Sequence, residues 1–404
     1  MRGLRTTAFL ALTTATLHPS VDAQIAVRAE TLYTMAGDPI SDGVVLVDAE
    51  GKITAVGPAA TVDIPGGVRV LSAAVVTPGL IDSRSVVGLA GYLNQDGDSD
   101  QLDRSEPMQP ELRALDAFDV REPLVDWIRS FGVTTVQTGH APGALIPGQM
   151  MVVKTTGNTV EDAALIENSG IAVTLGDGAN APSGAPGTRA KATAMLRSLL
   201  LEAKRRLEKA ADDEADLAPN LRLDAMVEVL RGERPLIVHA QRSRDLLTAL
   251  RLREEFGFRL VLDGAAEAHL CLEEIAAARV PVIVHPPMAR HRGQLENATF
   301  ELASILDQRE IPVAFQSGYE PYVPKTRVVL FEAGMAAAHG LGFDRTLEAL
   351  TIDAARMLGL DERIGSLEVG KDGDFACYDG DPFEYTSHCT ATVIEGVVVF
   401  EGSR

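Results

Sequence analysis

The sequence predicts an α/β fold: a (β/α)8 TIM-like barrel carrying a small composite β-sandwich domain built from both termini. Three observations carry that prediction. Between residues 75 and 316, eight apolar strand-sized runs alternate with helical stretches. These runs are almost continuously apolar, as strands covered on both faces must be. The two ends of the chain instead carry short β-like pieces punctuated by glycine. With 404 residues, 46% of them hydrophobic, the chain has material for one large core and a smaller one.

At the start, Arg2 and Arg5 precede an apolar run at residues 8–17, and Val21-Asp22-Ala23 offers an A-x-A-like cleavage site before Gln24. Residues 1–23 therefore read as a secretory signal peptide, and the protein as secreted or periplasmic. The apolar run is well short of the ~20 residues that cross a bilayer, so no membrane span is expected after cleavage. An uncleaved anchor is the alternative. No cysteine follows directly to carry a lipid. Export implies an oxidising compartment, yet only Cys271, Cys377 and Cys389 are present, and three thiols cannot all pair within one chain. Cys377 and Cys389 are close enough in sequence to bridge neighbouring strands; buried free thiols are the other reading.

Residues 24–74 hold strand-like pieces at 43–48, 52–56 and 68–71, separated by turns such as Glu50-Gly51. They pair in this reading with residues 365–404, where 374–378, 391–395 and 397–401 are again β-like and Gly370, Gly380 and Gly396 punctuate. Between them, residues 75–364 form the barrel. Its strand candidates are 75–81, 133–138, 150–155, 171–175, 236–240, 260–263, 280–285 and 312–316. Helical spacing covers 189–211, 243–256, 267–278, 300–308, 327–339 and 345–358. An open doubly wound sheet is the alternative architecture, but no G-x-G-x-x-G follows an early strand to support its nucleotide site.

A formal charge of −20 argues against nucleic acid or an anionic membrane as partner, because phosphates would be repelled. It leaves a small molecule open.

Three separated pieces then resemble one family. GVVLVDAEGKITAVG near the start, VVTPGLID at residues 75–82 and ALTIDAARMLGLDERIGSLEVGKDGDFACYDGDPFEY near the end occur in order at suitable spacing. Together they resemble the metal-dependent amidohydrolase superfamily, in its imidazolonepropionase-like branch. Residues 132–162 and the segment GIAVTLGDGA at 170–179 resemble a subgroup of it. The resemblance implies a (β/α)8 barrel with a sandwich from both termini. It also implies hydrolysis of non-peptide C–N bonds, or of dipeptides and N-acyl amino acids, by metal-activated water.

That chemistry needs imidazoles and carboxylates converging at the strand ends around one or two cations, which lower the pKa of bound water toward ~7. The family places an H-x-H pair just after Leu-Ile-Asp; here those positions are Arg84 and Val86. The fifth-strand ligand survives as His239, and Asp177 stands where the subgroup has a ligating Glu. Near the sixth-strand ligand are Asp263 and Gly264, and the last strand offers Gln316, Ser317 and Gly318 in place of a catalytic Asp.

His239 and Asp177 alone cannot close a zinc site, which needs three protein ligands and water. A guanidinium about 4 Å from a divalent ion would be repelled by roughly 8 kcal/mol at an effective dielectric of about 20. Arg84 is therefore expected to replace the metal's charge, or else to turn out of the pocket. The sequence thus predicts a degenerate metal site with no resident metal. Zinc returns if the site is rearranged rather than lost, with His239, Asp177 and His285, or His239, His285 and Asp263, as its donors. The expected ligand-binding residues are Arg84, Lys154, Asp177, His239, Asp263 and His285, lining a mouth that takes a small zwitterionic or anionic ligand. Arg84 would grip its carboxylate, and Lys154, ending the strand MMVVK, would pair with Asp177. A homo-oligomer, or a catalytically inactive subunit pairing with an active paralogue, fits the same residues. No G-x-S-x-G supports a serine nucleophile at Ser317.

Overall fold

The computed structural model describes residues 23–402 apart from 92, 94, 180–184, 211–216, 288–290 and 320–328. The expected signal peptide, up to residue 22, lies outside the described residues. No helix among the described residues is long and apolar enough to cross a membrane.

Strands from both ends of the chain share one mixed sheet. From the N-terminal side come β1 (Ala23–Leu32), β2 (Ile40–Asp48), β3 (Ile53–Pro58) and β4 (Arg69–Pro78). Three later strands, β13 (Phe375–Tyr378), β14 (Cys389–Ile394) and β15 (Val397–Glu401), complete it in the order β15-β14-β13-β4-β1-β2-β3. β4 is the join, parallel to β1 on one side and antiparallel to β13 on the other. Ile25, Val27, Val45, Val47, Val76, Phe375 and Val393 form its apolar cluster. Cys377 and Cys389 do lie on neighbouring strands, but Cys377 faces Ala391 in the register and both thiols are free.

The second sheet has eight strands in chain order: β5 (Leu80–Ser85), β6 (Val133–Gly139), β7 (Gly148–Lys154), β8 (Ala164–Thr174), β9 (Leu236–Ala240), β10 (Leu260–Gly264), β11 (Val282–Val284) and β12 (Val313–Phe315). Ile237, Val261, Ile283, Ala172 and Met150 fill its interior, the packed centre expected of a barrel. The predicted fold class, a barrel with a separate composite sheet, therefore holds.

Beyond β1, a strand not among the expected pieces, two details differ from the expectation. The apolar run at 75–81 is not one strand. Its first half ends β4 and its second half opens β5, with the change of sheet at Gly79. A Cβ there would lie 2.1 Å from Thr134 Oγ1, so only glycine lets the chain pass.

The other difference is direction. β7 is antiparallel to both β6 and β8, while the remaining neighbours pair parallel. The connection from Gly139 to Gly148 is too short for a parallel crossover, which takes about a dozen residues or more, so β6 and β7 form a hairpin. Reversal puts Met150 at the carboxyl end of the barrel beside Gly139, and Lys154 at the opposite end beside Thr135.

No backbone ladder joins β12 to β5, and a side chain bridges the gap instead. Asp82 Oδ1 accepts from Ser317 N at 3.1 Å and from Arg84 N at 3.3 Å, while the Ser317 and Ser85 hydroxyls meet at 3.3 Å. At the other end of the barrel, Lys154 Nζ reaches Asp372 Oδ2 at 2.5 Å, Glu395 Oε1 at 2.8 Å and Asp374 Oδ2 at 3.0 Å. Lys52 and Arg363 also pair with Asp372. This buried ionic knot fastens β7 to the composite sheet.

Candidate functional site at the barrel mouth

The carboxyl ends of β5, β9, β10 and β12 bring four buried side chains together. Period-2 alternation turns Arg84 inward, and its guanidinium Nε lies 2.8 Å from Asp263 Oδ2, with the two side chains 1% and 0% exposed. The other guanidinium nitrogens are also held: Nη1 donates to Met150 Sδ at 3.0 Å and Nη2 to the His140 carbonyl at 3.1 Å. Gln316 Nε2 donates to Asp263 Oδ1, and His239 Nδ1 lies 3.2 Å from Asp263 Oδ2. Tyr319 Oη is 2.9 Å from the same His239 nitrogen. An ionised Asp263 can only accept, so Nδ1 carries the hydrogen and shares it between the carboxylate and the phenol oxygen. The Tyr319 ring stands edge-on to His239 and His285, at 5.1 and 5.5 Å, and Arg84 lies 5.8 Å from its centre.

Burial alone would raise the Asp263 pKa, but Arg84, His239 and Gln316 outweigh it and hold the carboxyl at about 2. His140 is pushed down to about 4, first by burial and then by the nearby Arg84 charge. Asp82 moves the other way. Burial drives it up to about 7, against the hydrogen bonds from Ser317 and Arg84.

These opposite shifts predict a pH profile. Asp82 is raised in the folded state, so it favours folding below about pH 4 and penalises it progressively up to pH 7. His140 is depressed, so its contribution is present above about pH 6.5 and is lost as pH falls through 4. Asp82→Asn should therefore gain stability relative to the parent as pH rises from 4 to 7, by roughly 2–4 kcal/mol. Urea midpoints at pH 4, 5.5 and 7 measure it; equal pH slopes in the two proteins would refute the assignment.

Of the six expected ligand-binding residues, Arg84, His239 and Asp263 meet directly, and His285 joins them through Tyr319. Two do not belong to the cluster. Lys154 is at the far end of the barrel on the reversed strand, and its partners are Asp372, Asp374 and Glu395 rather than Asp177. Asp177 sits on the outer rim, 57% exposed, paired with Arg189 at 2.5 Å. Arg84 does not present a free fork to a ligand either, because all three of its nitrogens face protein groups. Val86, the second position of the expected pair, packs with Ala90 and Ala141.

Tyr319 and Met150 were not legible as site residues. Tyr319 follows Gln316 and Ser317 at the same strand end, which is the signal that could have found it. Met150 needed the reversal of β7, readable from the short link before it.

The resemblance to known proteins follows this geometry. The Amidohydrolase family profile matches residues 317–400. A crystal structure of an amidohydrolase from Thermotoga maritima superposes with a TM-score of 0.87 at 27% identity, covering 94% of this chain and 100% of that one. This chain belongs to the amidohydrolase superfamily. Amidohydrolase tasK of Hapsidospora irregularis is 24% identical over 360 residues, 81% of this chain, and the matched part spans only 36% of that longer protein. An imidazolonepropionase of Shewanella frigidimarina is 33% identical over 76 residues, 19% of this chain and 18% of its own length.

The superfamily usually binds metals, and the donors described at this mouth do not fit one. Among the described residues no group of three or more His, Cys, Asp and Glu side chains could hold a metal ion. His239 and Asp263 are bonded to each other, and the cation beside them is a guanidinium that would oppose a second positive charge.

Proposed function

We propose that this amidohydrolase-superfamily chain has exchanged the metal of its relatives for a fixed guanidinium and acts as a ligand-binding protein. On this reading the hydrolysis of C–N bonds by metal-activated water has been lost. The ligand is a small zwitterionic or anionic amide of the dipeptide or N-acyl amino acid type, and the protein is exported by its N-terminal segment. One observation carries the reading: Arg84 and Asp263, both almost fully buried, pair at 2.8 Å where the family's ligands converge. A buried carboxylate needs a positive partner, and Arg84 supplies it without an ion. Contact with the ligand falls to Tyr319, the half-buried ring of the cluster, and to the edges of His239 and His285.

Two measurements test this. After incubation with zinc and desalting, the purified chain should retain well under one metal equivalent, about 0.1 or less, and chelators should change nothing. Retention of one equivalent together with chelator-sensitive cleavage of dipeptides or N-acyl amino acids would sink the proposal. In a thermal-shift screen of those compounds at millimolar concentration, at least one should raise the melting temperature saturably, and Tyr319→Ala should abolish the rise. A flat screen removes the binding role.

A further inference from the structure

The face of the barrel opposite the mouth carries a cavity, built where the strands β9 to β12 begin. Its volume is about 770 Å³, within the range of roughly 300–1,000 Å³ usual for small-molecule sites. Arg253 from the last turn of the helix Ser243–Phe256, Arg259 just before β10 and Arg279 at the end of the helix Leu272–Ala278 all line it. None of the three makes an ion pair or a side-chain hydrogen bond with another described residue. Elsewhere on the same wall, Arg345 and Arg356 are already neutralised by Asp307 and Asp353, and Glu310 is the remaining acid. The cavity thus gathers five guanidiniums against three carboxylates, in a chain whose formal charge is −20. In so acidic a molecule, three uncommitted arginines around one hollow are a local reversal of the overall field.

A second observation points to an occupant. A smaller cavity of about 90 Å³ shares Pro235, Arg259, Val261 and Met357 with the larger one and runs toward the barrel interior. Gln137 on β6 lines it and is 2% exposed. Its Nε2 donates to Ser169 Oγ at 2.8 Å, while its Oε1 is buried with no donor among the described residues. A buried acceptor left unsatisfied costs about 1–3 kcal/mol, so a molecule that carries an N–H or O–H to it is favoured there.

We propose that this cavity is a binding site for a small organic polyanion, a phosphate ester or a polycarboxylate, independent of the barrel mouth. Its negative oxygens engage Arg253, Arg259 and Arg279, and a donor group on its body reaches toward Gln137. Guanidiniums suit either anion class, because their paired N–H groups match two oxygens at once.

Calorimetric titration of the full chain at low ionic strength, with pyrophosphate in one arm and citrate in the other, tests it. At least one probe should bind with a Kd of about 1 mM or tighter, weakening as salt is added. Arg259→Ala and Arg279→Ala should each weaken binding about tenfold or more. Arg197→Ala, which removes a surface partner of Glu255 outside the cavity, should leave it within about twofold. Arg259 and Arg279 are exposed, so their variants should fold normally. Binding of pyrophosphate alone marks a phosphate site, and of citrate alone a polycarboxylate site. Binding of neither, or binding that Arg259→Ala and Arg279→Ala leave unchanged, overturns the proposal.

Discussion

Arg84→Met is expected to lower the unfolding free energy by about 3–5 kcal/mol, because it leaves the Asp263 carboxylate buried without its cation. Burial decides the size: an exposed pair of the same geometry would give about 0–1 kcal/mol. In the parent, Asp263 is held down at about 2, so its contribution is present above about pH 4 and lost as pH falls toward 2. Arg84→Met should erase that acid limb. The double variant Arg84→Met/Asp263→Leu should recover most of the loss, since both desolvation costs vanish together. Urea unfolding of parent, singles and double closes the cycle. A single-variant loss under about 1 kcal/mol would mean that the pair is solvated and that Arg84 does not stand in for a metal.

Lys154→Met should cost a similar amount, about 3–5 kcal/mol, for the same reason at the other end of the barrel. Its ammonium lies within 3.0 Å of oxygens of Asp372, Asp374 and Glu395, and is 4% exposed. Without it, Asp374, whose pKa burial already raises, would sit beside Asp372 with no cation of its own. Lys52→Met is the internal comparison. Lys52 touches the same Asp372 but is 43% exposed, so solvent screens most of its contribution. If the two lysine variants unfold at the same urea concentration, the knot does not fasten β7 to the composite sheet. Ligand binding at the mouth should survive Lys154→Met in the folded fraction, because Lys154 is not part of that cluster.

Particular residues show how far the sequence could be read. The strand ends at His239, Asp263 and His285 were legible because short apolar runs stop there, and a parallel strand presents its last residues at the mouth. Arg84 was legible as an intruder, since two residues after Asp82 the same face of β5 turns inward. Lys154 was misplaced because a strand-sized run has no direction of its own. The short connection between Gly139 and Gly148 held that information, through the length that a crossover requires. Asp177 was misplaced for another reason: being near a strand end does not say whether a side chain turns into the barrel or along its rim. Arg189 captures it at the surface.

By itself, the sequence determined the fold class, the pairing of the two chain ends and the presence of Arg84 and Val86 just after Leu80-Ile81-Asp82. Those follow from local periodicity and from which residue occupies which strand position. Tertiary structure alone decided that Arg84 pairs with Asp263, that Asp82 bridges β5 to β12, and that Tyr319 gathers His239 and His285. Each of those contacts joins residues far apart in sequence, at distances where a few ångströms separate a buried ion pair from none. Periodicity says which way a side chain faces on its own strand; only closure of the barrel says what it meets there.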